Sequence, residues 1–153
     1  MRRFEVFFRT PCYFRRSVSK DSPDPVLKAL RSPYRAVPLP DTSLMLRNLT
    51  RLWRRFSGML FEYKEYLAWV DMGGIALAGF PGGIRTVRVY EHPESNKWIM
   101  GLIGDVRFSI PTDMFSEKFA RFTDTLMNFA EYSNVGGGRM AGFGVVKYVP
   151  KDS

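Results

Sequence analysis

Residues 98–133 read WIMGLIGDVRFSI, then Pro111-Thr112, then DMFSEKFARFTDTLMNFAEYS. In the first part Trp98, Met100, Leu102, Val106, Phe108 and Ile110 share one face, interrupted only by Gly104, while Asp105, Arg107 and Ser109 share the other. That period of two predicts a strand from Trp98 to Ile110 with one buried face. Gly101 or Gly104 marks a bulge or a close backbone approach. Past Pro111 the period lengthens. Phe115, Phe119, Phe122, Leu126, Phe129 and Ala130 fall on one side, and Glu117, Lys118, Arg121, Asp124 and Asn128 on the other. A helix from about Asp113 to Ser133 with an aromatic inner face follows. A long half-buried strand feeding a long amphipathic helix points to an α+β domain.

Working outward, Ile84 to Tyr90 alternates Val87 and Val89 with Thr86 and Arg88, so it pairs with Trp98–Ile110 as a hairpin whose turn is His92-Pro93-Glu94-Ser95-Asn96. Near the start, Phe4 to Phe8 reads as a first strand that Thr10-Pro11 ends. Five of the ten prolines lie between Pro23 and Pro40 with Lys28, Arg31 and Arg35, predicting a basic surface loop. Asp41-Thr42-Ser43 then caps a helix to about Phe56. A shorter helix spans Glu62 to Val70, and Gly142 to Tyr148 reads as the last strand. The order is βαββαβ with one short extra helix. This predicts a single ferredoxin-like domain over residues 1–153, an antiparallel sheet with two main covering helices.

The composition, 45% hydrophobic and 15% aromatic over 153 residues, is that of one globular domain. A single cysteine, Cys12, forms no internal disulfide, and with one histidine, His92, no set with zinc-ligand spacing exists. No metal or cofactor is expected. No apolar run approaches the roughly 20 residues that span a bilayer, so no membrane partner is expected and the location is read as cytoplasmic. The net charge of +8 is uneven: residues 1–55 hold thirteen basic and four acidic side chains, and the remainder is near neutral. Arginines outnumber lysines sixteen to seven. The guanidinium fork suits bidentate contact with phosphate, so a polyanion is the first partner to consider.

The helix after Asp41 concentrates that charge. Met45, Leu49, Leu52, Trp53 and Phe56 form its apolar face, and Arg47, Arg51, Arg54 and Arg55 gather opposite. Most charge runs are solvated faces. Four like charges at i, i+4, i+7 and i+8 with no acid among them repel, however, and favour an anion seated on them.

Five glycines occur within residues 136–144, in the stretch Asn134-Val135-Gly136-Gly137-Gly138-Arg139-Met140-Ala141-Gly142-Phe143-Gly144. Nucleotide-binding glycine loops follow a strand and precede a helix; here the order is helix, glycines, strand, so Rossmann and P-loop readings are rejected. A helix C-cap accounts for Asn134 and one glycine but not for the rest. The stretch resembles the C-terminal glycine-rich motif of the CRISPR-associated endoribonucleases that process repeat RNA, members of the RAMP superfamily. That motif is two glycine-hydrophobic-glycine triplets about five residues apart. Gly142-Phe143-Gly144 matches the second, and Asn134-Val135-Gly136 matches the first with Asn in place of its leading Gly. Thr10-Pro11 with Phe14-Arg15, Leu39-Pro40 with Leu46 to Trp53, Arg85-Thr86-Val87 and Gly101-Leu102-Ile103-Gly104 look like further landmarks in order. The likeness corresponds to the C-terminal half of the family's two-domain enzymes.

The resemblance implies binding of CRISPR repeat RNA and metal-independent cleavage, in which the substrate's 2′-hydroxyl attacks the adjacent phosphate to leave a 2′,3′-cyclic phosphate and a 5′-hydroxyl. The family's usual histidine belongs to the N-terminal half, outside these residues, and His92 matches no catalytic position. The catalytic residues are therefore unknown, Arg139 being the best candidate for transition-state stabilisation, together with backbone N–H groups of Gly136, Gly137 and Gly138. Expected RNA-binding residues are Gly136, Gly137, Gly138, Arg139, Gly142, Gly144, Arg15, Arg16, Arg47, Arg51, Arg54, Arg55, Arg85 and Arg88. Glu62, Glu65, Glu91 and Glu94 receive no role. The alternatives are a non-catalytic RNA-binding subunit, half of a split enzyme completed by a second ferredoxin-like domain or a second copy, and a scaffold whose basic helix binds an acidic protein.

Overall fold

The computed structural model describes residues 1–17, 24–28, 34–58, 62–90 and 98–152. The main sheet is built on β1 (Arg3–Cys12), which lies between β6 (Trp98–Ser109) and β7 (Val146–Lys151), antiparallel to both. The far side of β6 is covered by two consecutive strands, β4 (Ala76–Gly79) and β5 (Ile84–Tyr90). With β4 and β5 counted as one broken edge strand, the spatial order is fourth, first, third, second. This is the ferredoxin-like arrangement expected from the element order.

Two long helices cover one face: α2 (Thr42–Ser57) between β1 and the edge strand, and α4 (Glu117–Ser133) between β6 and β7. Both are capped from sequence. Asp41 accepts from the Leu44 N–H at 2.9 Å, and Ser116 accepts from the Phe119 N–H. Phe4, Val6 and Phe8 from β1, Leu102, Val106 and Phe108 from β6, and Met45, Leu46, Leu49, Leu126 and Met127 from the helices form the core. Each such side chain contributes about 2 kcal/mol on burial. Trp53 of α2 meets Phe129 of α4 edge to face, their centroids 5.4 Å apart. The short α3 (Tyr63–Trp69) is held against α4 by Tyr66, whose hydroxyl bonds Thr123 at 2.8 Å, and against the turn before α4 by the Trp69 indole N–H, which donates to the Met114 carbonyl.

Several boundaries differ from the sequence reading. β1 runs through Thr10-Pro11 to Cys12. A register irregularity against β6 between Phe8 and Cys12 tolerates the proline that lacks an N–H. The proline-rich stretch is not all loop: β2 (Phe14–Ser17) pairs with β3 (Tyr34–Val37) as a separate ribbon, and Pro25–Lys28 is one helical turn, α1. α4 begins at Glu117, behind a 3-10 turn at Thr112–Met114, so Phe115 precedes it. The last strand begins at Val146 because residues 139–144 form tight turns. Phe56, assigned to the apolar face of α2, is 62% exposed, and Trp98 is 49% exposed. Arg31, the turn from His92 to Asn96, and Glu91 and Glu94 fall outside the described residues.

Candidate nucleic-acid interface

The segment joining α4 to β7 is threaded against the end of β1. The Gly137 N–H donates to the Tyr13 carbonyl and the Gly144 N–H to the Pro11 carbonyl, each at 3.0 Å, and the Thr10 hydroxyl bridges the Gly142 carbonyl and the Val145 N–H. This close threading explains the glycines. A Cβ on Gly144, at φ +72°, would lie 1.8 Å from the Val135 carbonyl oxygen; one on Gly136, at φ +79°, would lie 2.2 Å from that of Tyr13. Thr10-Pro11, read from sequence as a strand end, is thus the anchor of the glycine loop.

The loop is also tied to α2. The Asn48 side-chain oxygen accepts from the Gly136 N–H at 2.9 Å. The amides of Gly136 and Gly137 are therefore engaged within the protein rather than aimed at a phosphate as the sequence suggested. Asn48 was missed because a single amide among arginines carries no periodic signal. Its only hint is that Asn is a poor helix former placed mid-helix.

Where α2, α3, β2 and this loop meet, a cleft of about 440 Å³ opens, lined by Arg15, Arg47, Arg51 and Arg54, by Asn48 and Thr50, by the apolar Phe14, Leu44 and Leu67, by Tyr63, and by Gly136 and Gly137. Three of the four helix arginines thus converge with the glycine loop. Arg51 and Arg54 have no acidic partner among the described residues. The Arg54 guanidinium lies over the Tyr63 ring, 3.9 Å from its centroid. Arg47 is neutralised by Asp71, from the turn after α3, so the repulsion read along the helix is partly relieved by a residue distant in sequence. Arg15 approaches the Tyr13 hydroxyl at 3.4 Å, and Arg16 pairs with Asp41.

Arg139 stands beside the cleft and donates to the Ser133 carbonyl at 3.1 Å. Partial burial lowers its pKa, and the neighbouring Arg51 and Arg55 lower it further. Arg51, Arg55 and Arg139 thus form a cluster of like charge that an anion would relieve. The remaining expected residues lie elsewhere. Gly142 and Gly144 shape the loop without lining the cleft. Arg85 and Arg88 sit on β5, at the sheet edge opposite β7, with Arg88 stacked over Trp98 at 4.1 Å.

Among the described residues no histidine lines the cleft. Burial pushes the Cys12 thiol and the Tyr66 phenol well above their ordinary values, and burial together with Asp124 does the same for Tyr148. None of the three can deprotonate near neutral pH. Among the described residues no group of histidine, cysteine and acidic side chains could hold a metal ion, and no helix is long and apolar enough to cross a membrane.

The model of the CRISPR-associated endoribonuclease Cas6 family matches residues 6–146. No curated protein sequence matches the chain. Among solved structures, Thermus thermophilus Cas6 aligns over 97% of this chain and 53% of its own, at 23% identity and a TM-score of 0.73. A Cas6 product complex aligns over 98% and 52%, at 23% and 0.72, and a Cas6 substrate mimic complex over 97% and 53%, at 22% and 0.70. The chain spans about half the length of these structures. The likeness carries the fold.

Proposed function

Because the chain belongs to the CRISPR-associated endoribonuclease Cas6 family, we propose that its cationic cleft binds CRISPR repeat RNA and holds the phosphate at which that RNA is processed. The observation that carries this reading is the convergence on one cleft of Arg15, Arg51 and Arg54 with the glycine loop, and of Arg139 beside it. The chemistry proposed is attack of a 2′-hydroxyl on the adjacent phosphate without a metal, giving a 2′,3′-cyclic phosphate and a 5′-hydroxyl. The arginines supply what that reaction needs as charge accumulates on the phosphorane, fixed positive groups beside the reacting phosphate. Arg139 and Arg51 are the residues proposed for it, and with the Gly136 and Gly137 N–H groups already donated, these side chains carry the stabilisation in place of those two amides.

A second reading has its own support. With no histidine among the described residues that line the cleft, and Cys12, Tyr66 and Tyr148 held protonated, the proton transfers would come from a second domain or a second copy, and this chain alone would bind RNA without cutting it. Incubating the chain with repeat RNA in EDTA separates the two. The first reading expects one cut with a cyclic phosphate end and no cleavage of the corresponding DNA, which lacks the 2′-hydroxyl. RNA left intact when fully bound would establish the second.

A further inference from the structure

Resting on the RNA-binding reading, we propose that the face of the sheet opposite α2 and α4 is a second RNA-binding surface. It takes a single-stranded stretch of the RNA that leaves the cleft past Arg9. Phe4, Val6 and Phe8 of β1 are buried in the core, so Arg3, Glu5, Phe7 and Arg9 alternate onto the other side. The ladder registers bring Arg107 of β6, Arg85 of β5, and Lys147 and Lys151 of β7 onto that same side. Six exposed basic side chains thus share one face with two carboxylates, Glu5 and Asp105. Glu5 is used within the fold: it accepts from Arg107 at 2.9 Å and lies 3.8 Å from Lys151. Arg3, Arg9, Arg85 and Lys147 have no acidic partner among the described residues, and Arg3 stands directly across from Lys151. Like charges in directly opposed cross-strand positions cost stability, and an anion lying on the face relieves them.

Two features favour RNA over an acidic protein as that anion. Phe7 is the one aromatic side chain among the described residues of this face. Partly exposed, it sits on the strand between β6 and β7, directly across from Lys147. An aromatic ring amid cations on an open sheet gives a base a surface to stack on and gives its flanking phosphates their counter-charges. The face also continues the cleft. The Arg9 N–H donates to the Val145 carbonyl at 2.8 Å, beside the Thr10 hydroxyl that holds the glycine loop, so a strand passing that loop meets Arg9 next.

The test titrates the chain with single-stranded RNAs lengthened stepwise from the shortest that binds, with a 2-aminopurine placed in the added stretch. Wild-type affinity should rise with length, and the 2-aminopurine should be quenched. Replacing Arg3, Arg9 and Lys147 together by Gln should remove that rise and lower the slope of log affinity against log salt by about 2 for the long RNA alone. Phe7→Leu should weaken the long RNA by about 5- to 150-fold and abolish the quenching with the slope unchanged, and Phe7→Tyr should keep both affinity and quenching. The shortest RNA, held by the cleft, should bind every variant as it binds the wild type, which reports an intact fold. Should Phe7→Leu lose it, the Gln variant, altered only at exposed positions, decides. Long RNA bound as tightly by the Gln variant, or by a folded Phe7→Leu, as by the wild type overturns this inference alone and leaves the face to an acidic protein. Failure of the wild type to bind any RNA overturns it together with the reading beneath it.

Discussion

The two helices that cover the sheet do the same work inward and opposite work outward. α2 and α4 each bury a stripe of apolar residues against β1 and β6, and they touch each other through Trp53 and Phe129. On α4 most of the outward charges are settled within the protein: Arg121 pairs with Glu117 one turn away at 2.8 Å, Lys118 with Glu62, and Asp124 accepts the Tyr148 hydroxyl at 2.7 Å. On α2 only Arg47 has an acidic partner among the described residues, and Arg51 and Arg55 stand beside the equally basic Arg139. Packing alone does not ask for this difference. It separates a helix whose charges are used within the fold from one whose charges are left for the RNA-binding role proposed above.

The largest break in this comparison comes from replacing Arg51, Arg54 and Arg55 together by alanine. RNA affinity should fall by about 3 kcal/mol or more, since charge-assisted contacts are worth about 1.5–3 kcal/mol each before solvent screening. The slope of log affinity against log salt should drop by about 2. Lys118→Ala with Arg121→Ala on α4 should leave both quantities unchanged in the same filter-binding titration.

Next in size is a contrast inside the glycine loop. Gly144→Ala should cost about 3 kcal/mol in urea unfolding, combining a Cβ within 1.8 Å of a carbonyl oxygen with a left-handed backbone. Gly142→Ala, with nothing within 4 Å of the added atom, should cost only about 1 kcal/mol from its positive φ. Equal costs would mean that the loop does not thread against β1 as described.

Asn48→Ala follows. It removes the acceptor of the Gly136 N–H and should cost about 1–2 kcal/mol of stability, and it should loosen RNA binding by letting the loop leave α2. Asp71→Asn is the smallest. The Arg47–Asp71 pair is half exposed, so stability should change by less than about 1 kcal/mol. Releasing Arg47 to the cleft should make RNA affinity steeper in salt by about 0.7.

How much of this was legible in the sequence depended on whether the signal was local. α2, α4 and β6 announce themselves by caps and by unbroken periods of 3.6 or 2, and the alternation of buried Leu102, Val106 and Phe108 follows that pattern. β4 was missed because Ala76-Leu77-Ala78-Gly79 is four residues long with no β-branched side chain, and it is a strand only because β6 offers it an edge. The β2–β3 ribbon was hidden by the prolines in the sequence around β3, Pro33 before it and Pro38 after it. At the site, the arginine face and the glycine loop were both visible, but their meeting was not. It depends on Asn48 reaching across 88 positions to Gly136 and on Thr10 holding the far end of the loop. Asp71, 24 residues from Arg47, became recognisable as its partner, and Tyr63, at the start of a short helix, as part of the cleft, only through tertiary packing.

Photo-crosslinking of a thiouridine-substituted repeat RNA to the chain, mapped by mass spectrometry, tests the central claim most directly. Crosslinks should concentrate on α2 from Arg47 to Arg55, on Tyr63 and on residues 134–144, with α4 from Glu117 to Asn128 left bare. Crosslinks on the outer face of α4 as strong as those on α2 would contradict the account.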